Sequence, residues 1–400
     1  MNWLDLLIRE TDFVETPKQW LYWSGLATIS AIISPNVYVN KKAYRLRPNL
    51  FILLVGRSGL GKGFGPSVSR KIVTLVNNTR VISGRGSIEG IIHELSITKA
   101  GKDGSIPFKD ARGYLVSGEF AATMYESSKA LTVLTDLYDG HYNPQWDNTL
   151  KNSPVESLRA PCLTLLSGAN QEMFDLAVDK SHKGGGFVGR TLLIGAEKRH
   201  KSNSMIFNED EEDEVADVNY DRLAEYPKKL AKLEGPMKWS RPAISAYNKW
   251  FYPYREAEVD DKTGTYDRLN DHVIKVATCI SVARKPDMII EEEDVEDAII
   301  SCSKLSSTAR QVAGMEGKSA GSAHIKSFLL IMFQAPNYTM SRKQILQKGF
   351  GDFDASELDK IIETLSQTGF IVQSGGDKEI IYKMTKQCID WWEKSTKASK

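Results

Sequence analysis

The segment LFILLVGRSGLGKG, residues 50–63, constrains the fold more than any other part of the chain. Its apolar run, 50–55, shows no alternation, which is typical of a buried parallel strand. Gly56, Gly61 and Lys62 follow at the spacing G-x-x-x-x-G-K, and a helical pattern comes next. Glycines let the backbone turn its amides inward, and a helix N-terminus adds partial positive charge. The segment therefore predicts a strand, a phosphate-binding loop and a helix.

The loop predicts a site for ATP, in which Lys62 reaches the β- and γ-phosphates. Gly63 stands where a Ser or Thr usually ligates Mg²⁺, so phosphate binding is expected while hydrolysis needs further evidence. The alternative is a glycine turn without a ligand. The predicted nucleotide-binding residues are Gly56, Ser58, Gly59, Gly61, Lys62 and Gly63.

Five apolar segments alternate with helical patterns in the first half of the chain, which predicts an α/β fold with a parallel sheet and right-handed crossovers. The predicted strands are 50–55, 79–82, 113–117, 161–167 and 188–195.

Two polar residues follow predicted strands. Glu119 follows 113–117 and is expected to activate the attacking water and to contact Mg²⁺, although Gly118 replaces the aspartate usual before it. Its alternative is a helix-starting acid. Asn170 follows 161–167 and can position the water or cap a helix, two compatible roles.

Charge and cysteine usage narrow the class of protein. The net charge is +1, so the chain lacks the overall positive charge that would indicate nucleic-acid binding, although a ring can confine positive charge to its pore. The four cysteines are far apart, which favours a reduced intracellular protein without zinc or disulfides. The longest apolar stretch, 20–34, is too short to span a bilayer. The expected location is the cytoplasm, with no membrane partner.

The C-terminal part has the pattern of three helices followed by a hairpin, which is the winged-helix order. The third helical pattern, 354–368, is acidic, and an acidic helix reads a DNA groove poorly. Structural or protein-docking use is therefore at least as reasonable as direct DNA contact.

Several short motifs follow one another along the chain in the order in which a known protein family carries them. The chain resembles phage- and mobile-element-encoded P-loop ATPases of the AAA+ replicative helicase type, related in layout to minichromosome maintenance helicases. The resemblance covers about residues 1–310, and it is carried by 47–50 before the phosphate loop, 118–120, 137–140, 168–170, 186–190 and 266–277.

The resemblance implies a P-loop NTPase with an AAA+/RecA-like parallel sheet, a helical lid and a C-terminal winged-helix domain. The expected organisation is an N-terminal helical segment (1–45), the ATPase core (46–207), an acidic linker (208–218), the helical lid (219–312), a second linker (313–322) and the winged helix (323–400).

The resemblance also implies residue roles. Lys62 binds phosphate, Glu119 is catalytic and Asn170 senses the γ-phosphate. Arg190 is the arginine finger offered to a neighbouring subunit, and Arg268 is the lid arginine brought over the phosphates. The alternative for Arg190 is an ion pair with an acid, and Lys198 or Arg199 are other candidate donors.

The implied activity is an ATP-driven, hexameric DNA helicase in phage or mobile-element replication, located in the host cytoplasm if phage-encoded. Single-stranded DNA would pass through the central channel and contact Lys151, within an insertion at 142–161; the alternative is an ordinary surface loop. The competing hypothesis is a weakly hydrolysing ATP switch that acts as a replication initiator or helicase-loading scaffold.

Overall fold

The chain forms two compact units, Met1–Ala313 and Gly314–Lys400. The computed structural model describes residues 2–84, 87–96, 109–120, 128–140, 145–148, 156–178, 186–202, 217–257, 259, 261–313, 320–350, 352–374 and 380–397. The predicted acidic linker lies mostly outside these ranges.

Helices and strands alternate through the first unit. Its helices are α1 Trp3–Glu10, α2 Lys18–Ile33, α3 Phe64–Val76, α4 Ile88–Leu95, α5 Ser128–Tyr138, α6 Gln171–Ala177, α7 Tyr220–Leu230, α8 Arg241–Glu256, α9 Thr265–Arg284, α10 Glu292–Cys302 and α11 Leu305–Val312. Its strands are β1 Val37–Asn40, β2 Arg45–Leu46, β3 Phe51–Val55, β4 Arg80–Ser83, β5 Arg112–Ser117, β6 Gln145–Asn148, β7 Glu156–Arg159, β8 Cys162–Ala169, β9 Thr191–Gly195, β10 Gly235–Pro236, β11 Lys238–Trp239 and β12 Ile289–Ile290.

A five-stranded parallel sheet forms the centre of this unit, in the order β4-β5-β8-β3-β9. The predicted α/β fold with a parallel sheet is confirmed, and each predicted strand overlaps an observed one. The last prediction, 188–195, starts too early, because Val188–Arg190 is a 3₁₀ turn and the strand begins at Thr191. A Cβ on Gly189 would lie 2.9 Å from the carbonyl oxygen of Gly264, so this turn packs closely against the chain before α9.

Strand β3 is buried on both faces, which explains its unbroken apolar run. Ile52 and Leu54 belong to one hydrophobic cluster, together with helix α2. Phe51, Leu53 and Val55 belong to the cluster on the other face of the sheet. A strand covered on both faces does not alternate in polarity.

Helix α2 packs against α3 and the sheet, and nearly all of its residues are buried. The indole Nε1 of Trp20 donates to the carbonyl oxygen of Ile194 in β9, at 2.9 Å. The N-terminal helices are therefore part of the first unit's core, on the side where the phosphate loop begins.

Helix α9 is fixed at the other edge of the sheet, where the strands begin. The ammonium of Lys275 donates to the backbone and side-chain oxygens of Asn49, at 2.9 and 3.1 Å. The ring of His272 contacts the carbonyl oxygen of Gly189, at 3.0 Å. Since Asn49 precedes β3 and Gly189 precedes β9, the helix lies along the amino-terminal edge.

Strands β6 and β7 form an antiparallel pair inside the predicted insertion at 142–161. Lys151 lies between them in sequence and outside the described residues. The short strands β1, β2 and β10 form a three-stranded sheet, and β11 pairs with β12. These elements of two to four residues are too short to be predicted from a pattern.

The second unit contains α12 Ala320–Phe333, β13 Thr339–Ser341, α13 Arg342–Lys348, α14 Ala355–Gln367, β14 Ile371–Ser374, β15 Ile381–Met384 and α15 Lys386–Lys397. Its strands form an antiparallel sheet in the order β13-β15-β14, around a separate hydrophobic core. Three helices thus precede the hairpin, as the sequence predicts, while β13 and α15 were not predicted. Among the residues described in both units, no helix is long and apolar enough to cross a membrane.

Candidate nucleotide-binding site

The predicted phosphate loop connects β3 to α3. Gly59 and Gly61 have φ values of 85° and 79°, the left-handed region that glycine adopts without strain. A Cβ on Gly61 would also lie 2.5 Å from the hydroxyl oxygen of Thr16. Gly63 is the N-cap residue of α3. The backbone therefore has the glycine-dependent turn and the helix start that an anion-binding loop requires.

Lys62 lies on this loop. Its ammonium donates to the carbonyl oxygen of Gly56 at 2.6 Å and to that of Arg57 at 3.0 Å. Desolvation lowers the pKa of Lys62, and the nearby charge of Glu119 opposes that shift. The predicted phosphate ligand and the predicted catalytic carboxylate are therefore close enough for their charges to interact.

The carboxyl ends of the neighbouring strands bring the other predicted residues to the loop. The amide of Phe120 donates to the carbonyl oxygen of Gly168 at 2.8 Å, which places Glu119 beside β8. A Cβ on Gly168 would lie 3.0 Å from the Cβ of Lys62, so the Lys62 side chain packs closely against the end of β8. The structure thus brings Lys62, Glu119 and the end of β8 together.

Asn170 follows β8 directly. The amide of Gly56 donates to the carbonyl oxygen of Ala169 at 3.1 Å, so Asn170 lies next to the start of the loop. Its own carbonyl oxygen accepts from the amide of Phe174, at 2.9 Å, as the first bond of α6. Asn170 therefore starts a helix at the same edge of the sheet, and the two roles proposed for it remain compatible.

Two residues that lie far from the loop in sequence also support it. The hydroxyl of Thr16 donates to the carbonyl oxygen of Gly61 at 3.4 Å. Arg199 donates to the carbonyl oxygen of Gly59 at 3.2 Å and pairs with Glu15. These residues lie about 45 and 140 positions from the loop, so no local pattern could have identified their contacts with it.

The described residues do not fit a Mg²⁺ ion held by protein side chains. The two positions where the motif usually carries metal-associated side chains are Gly63 and Gly118, and a Cβ on Gly118 would lie 3.8 Å from the Cα of Gly63. Within the described ranges, no group of three or more His, Cys, Asp or Glu residues could hold a metal ion. Glu119 provides a carboxylate at this edge, and its predicted contact with Mg²⁺ stays a prediction.

Arg190 lies at the opposite edge of the sheet. It precedes β9, whose first residue, Thr191, pairs with the first residue of β3. Its guanidinium forms an ion pair with Asp139 and donates to the carbonyl oxygen of Gly186 at 2.9 Å. Within its own chain Arg190 therefore has the acidic partner that the alternative interpretation expects, and it is separated from the phosphate loop by the length of a strand.

Arg268 lies at the same amino-terminal edge as Arg190. It belongs to the first turns of α9, and the charges of both arginines oppose the rise that burial causes in the pKa of Tyr138. Arg268 lines a pocket of about 470 Å³ with Lys41, Arg255 and other residues. The structure does not bring Arg268 together with the phosphate loop of the same chain, in contrast to the expectation of a lid arginine over those phosphates.

No protein-family model matches the sequence, and no curated protein matches it. The structure is similar to that of a full-length MCM homolog from Methanopyrus kandleri, with a TM-score of 0.46 and 14% sequence identity. The similarity covers 76% of this chain, and this chain spans only 59% of that protein. A likeness this weak assigns no activity, so function has to be argued from the site itself.

Proposed function

We propose that the protein is a P-loop ATPase. One observation carries this proposal: the loop with its two left-handed glycines, Lys62, Glu119 and Asn170 meet at the carboxyl edge of one parallel sheet. Ligands of open α/β sheets bind outside the carboxyl ends of the strands. ATP fits because the loop amides and the Lys62 ammonium together bind a chain of phosphates.

Each residue has a role in hydrolysis of the terminal phosphate. The loop amides and the N-terminus of α3 bind the phosphates. When ATP binds, the Lys62 ammonium moves from the carbonyl oxygens of the loop to the β- and γ-phosphates. Glu119 is exposed beside the loop and accepts a proton from the attacking water. The Asn170 side chain orients that water. Any Mg²⁺ would arrive on the nucleotide and offset phosphate charge.

The positions of the two arginines support a ring in this proposal. Arg190 and Arg268 lie at the edge opposite the loop of their own chain, so the proposed contact of each is with the phosphates of a neighbouring copy. A guanidinium supplied by a neighbour stabilises the charge of the transferring phosphoryl group. The proposed assembly is a closed hexamer, with single-stranded DNA in its channel and Lys151 between β6 and β7 as the DNA contact. This is the arrangement of a replicative helicase in phage or mobile-element replication.

The second candidate function is an ATP switch that hydrolyses weakly and serves as an initiator or helicase-loading scaffold. The adjacent glycines at 63 and 118 favour it, since both remove side chains that usually assist turnover.

The second unit is proposed to be a winged-helix domain that docks other replication proteins. Its helix α14 carries four acids, Asp354 as N-cap together with Glu357, Asp359 and Glu363. An acidic helix is suited to a basic protein surface and not to DNA.

DNA-stimulated ATP turnover distinguishes the motor from the switch. We expect single-stranded DNA to raise the turnover of the full chain, and Lys151→Glu to abolish this stimulation while basal turnover stays unchanged. Lys249→Glu is the matched control, since Lys249 is an exposed lysine on α8. Tight ATP binding with negligible turnover, with or without DNA, would favour the switch.

A further inference from the structure

The glycines at positions 63 and 118 are not required by the backbone. Gly63 has φ −79° and ψ −17°, which any residue adopts, and a Cβ there would meet no atom within 4 Å. A Cβ on Gly118 would make only an ordinary contact, with Gly63. Gly61 and Gly168 differ, because a Cβ on either would come within 2.5 Å of an oxygen. The fold thus accommodates side chains at both metal-associated positions, and the sequence leaves them out.

The space beside the two glycines forms a cavity of about 260 Å³. Its lining includes Gly63, Ser67, Arg70, Ser83, Ser117 and Gly118. Side chains four and seven residues after position 63 lie on the same face of α3, and helical side chains lean towards the N-terminus. Arg70 is exposed, and its side chain has no hydrogen-bond or ion-pair partner among the described residues. A guanidinium is therefore available on the side of the loop where a metal ligand would normally lie.

We propose that this site binds the triphosphate of ATP without a divalent cation held by the protein, and that Arg70 supplies the positive charge in its place. The inference rests on the proposed nucleotide function of the loop. Lys62 contacts the phosphates from the loop, and Arg70 contacts them from the cavity. A planar guanidinium donates two parallel hydrogen bonds to phosphate oxygens, and it remains charged at every relevant pH.

The test is the affinity of the full chain for ATP, measured by calorimetry in Mg²⁺ and again in excess EDTA. We expect the two dissociation constants to agree within about threefold, because no protein ligand is lost with the metal. Arg70→Ala should weaken binding in EDTA about tenfold or more, because the charge-assisted hydrogen bonds of the guanidinium are lost. Lys71→Ala is the matched control, since the Lys71 ammonium lies over the ring of Tyr220 and Lys71 does not line the cavity.

A gain-of-function variant tests the same proposal from the other direction. Gly63→Ser combined with Gly118→Asp should make binding about tenfold tighter in Mg²⁺ than in EDTA, because the two side chains restore a metal site that the cavity can accommodate. ATP binding by the parent only in Mg²⁺, or unchanged affinity of Arg70→Ala in EDTA, would overturn the inference and leave the nucleotide site standing. Absence of ATP binding in both buffers would overturn the proposed function as well.

Discussion

Lys62 is the side chain on which the nucleotide hypothesis depends most directly. Its ammonium is held by two carbonyl oxygens of its own loop, so it is already positioned over the glycine turn. We expect Lys62→Ala to weaken ATP binding by about ten- to a hundredfold, the usual cost of losing a hydrogen bond to a charged group. Calorimetry measures this loss, and the thermal midpoint by circular dichroism shows whether the variant is folded. Unchanged affinity in a folded variant would contradict the nucleotide assignment.

A variant of Glu119 can distinguish ATP binding from ATP hydrolysis. Glu119→Gln retains the shape of the side chain and loses the base, so ATP should still bind while turnover falls by about two to four orders of magnitude. Release of phosphate under saturating ATP is the measurement. Glu89→Gln, a change of an exposed acid in the first turn of α4, is the control and should leave turnover unchanged. Turnover near the parent level would assign Glu119 a structural role only.

At the residue scale, the sequence predicts those site residues whose pattern lies within one short segment of the chain. The glycines and lysine of the loop are recognisable because their spacing reflects one turn and one helix start. Arg70 was not identified, because its relevance depends on the two glycines at 63 and 118 lying beside each other. Thr16 was not identified, and Arg199 was considered only as another candidate arginine donor, for the same reason: each reaches the loop through the tertiary fold.

Helix α9 contains a buried titratable group that makes stability depend on pH. His272 is 1% exposed, its Nε2 contacts the carbonyl oxygen of Gly189, and its Nδ1 has no hydrogen-bond partner among the residues that the structure describes. Burial lowers the pKa of His272 from 6.5 to about 4. Protonation in the folded state would leave a buried N–H unpaired, so the folded protein retains the neutral ring.

The sign of the pH effect follows from that shift. Between pH 6.5 and about 4 the unfolded chain binds a proton at His272 and the folded chain does not, so stability falls as the pH is lowered through this window. The full effect is roughly 3 kcal/mol. His272→Gln keeps a donor for Gly189 and removes the titration, so its unfolding free energy should fall less over the same window. Parallel pH profiles of parent and variant, measured by urea unfolding, would contradict the prediction.

At the element scale, long and strongly patterned segments were predictable and short ones were not. All five strands of the parallel sheet were expected, and the clearest of them are β3 and β8, which are buried along their whole length. The early start assigned to β9 arose because Val188 is apolar although it lies in a 3₁₀ turn. Strand β13 has three residues and depends on pairing with β15, more than 40 positions later, so its own sequence carries too little information.

The order of the sheet separates two sets of residues in the first unit. The phosphate loop, Glu119 and Asn170 follow the carboxyl ends of strands, whereas Arg190 and Arg268 lie where strands begin. One strand of five residues spans about 17 Å, which exceeds the reach of an arginine side chain. The resemblance implied that Arg190 acts on a neighbouring subunit, and it placed Arg268 over phosphates without assigning those phosphates to a subunit, because that assignment depends on strand order.

The proposal that Arg190 acts on a neighbouring copy predicts that activity depends on assembly. If Arg190 acts on a neighbour, Arg190→Ala should lower turnover by about three orders of magnitude or more while ATP binding persists. Lys62→Ala should also be inactive, and a mixture of the two proteins should regain part of the turnover, since a mixed interface pairs an intact loop with an intact arginine.

Asp139→Asn is the control for a purely structural ion pair: it removes the charge that Arg190 contacts within its own chain, and it should retain most of the turnover. The measurements are phosphate release against protein concentration and mass by light scattering. Full turnover from a strictly monomeric preparation, or equal losses in Arg190→Ala and Asp139→Asn, would rule out the arrangement.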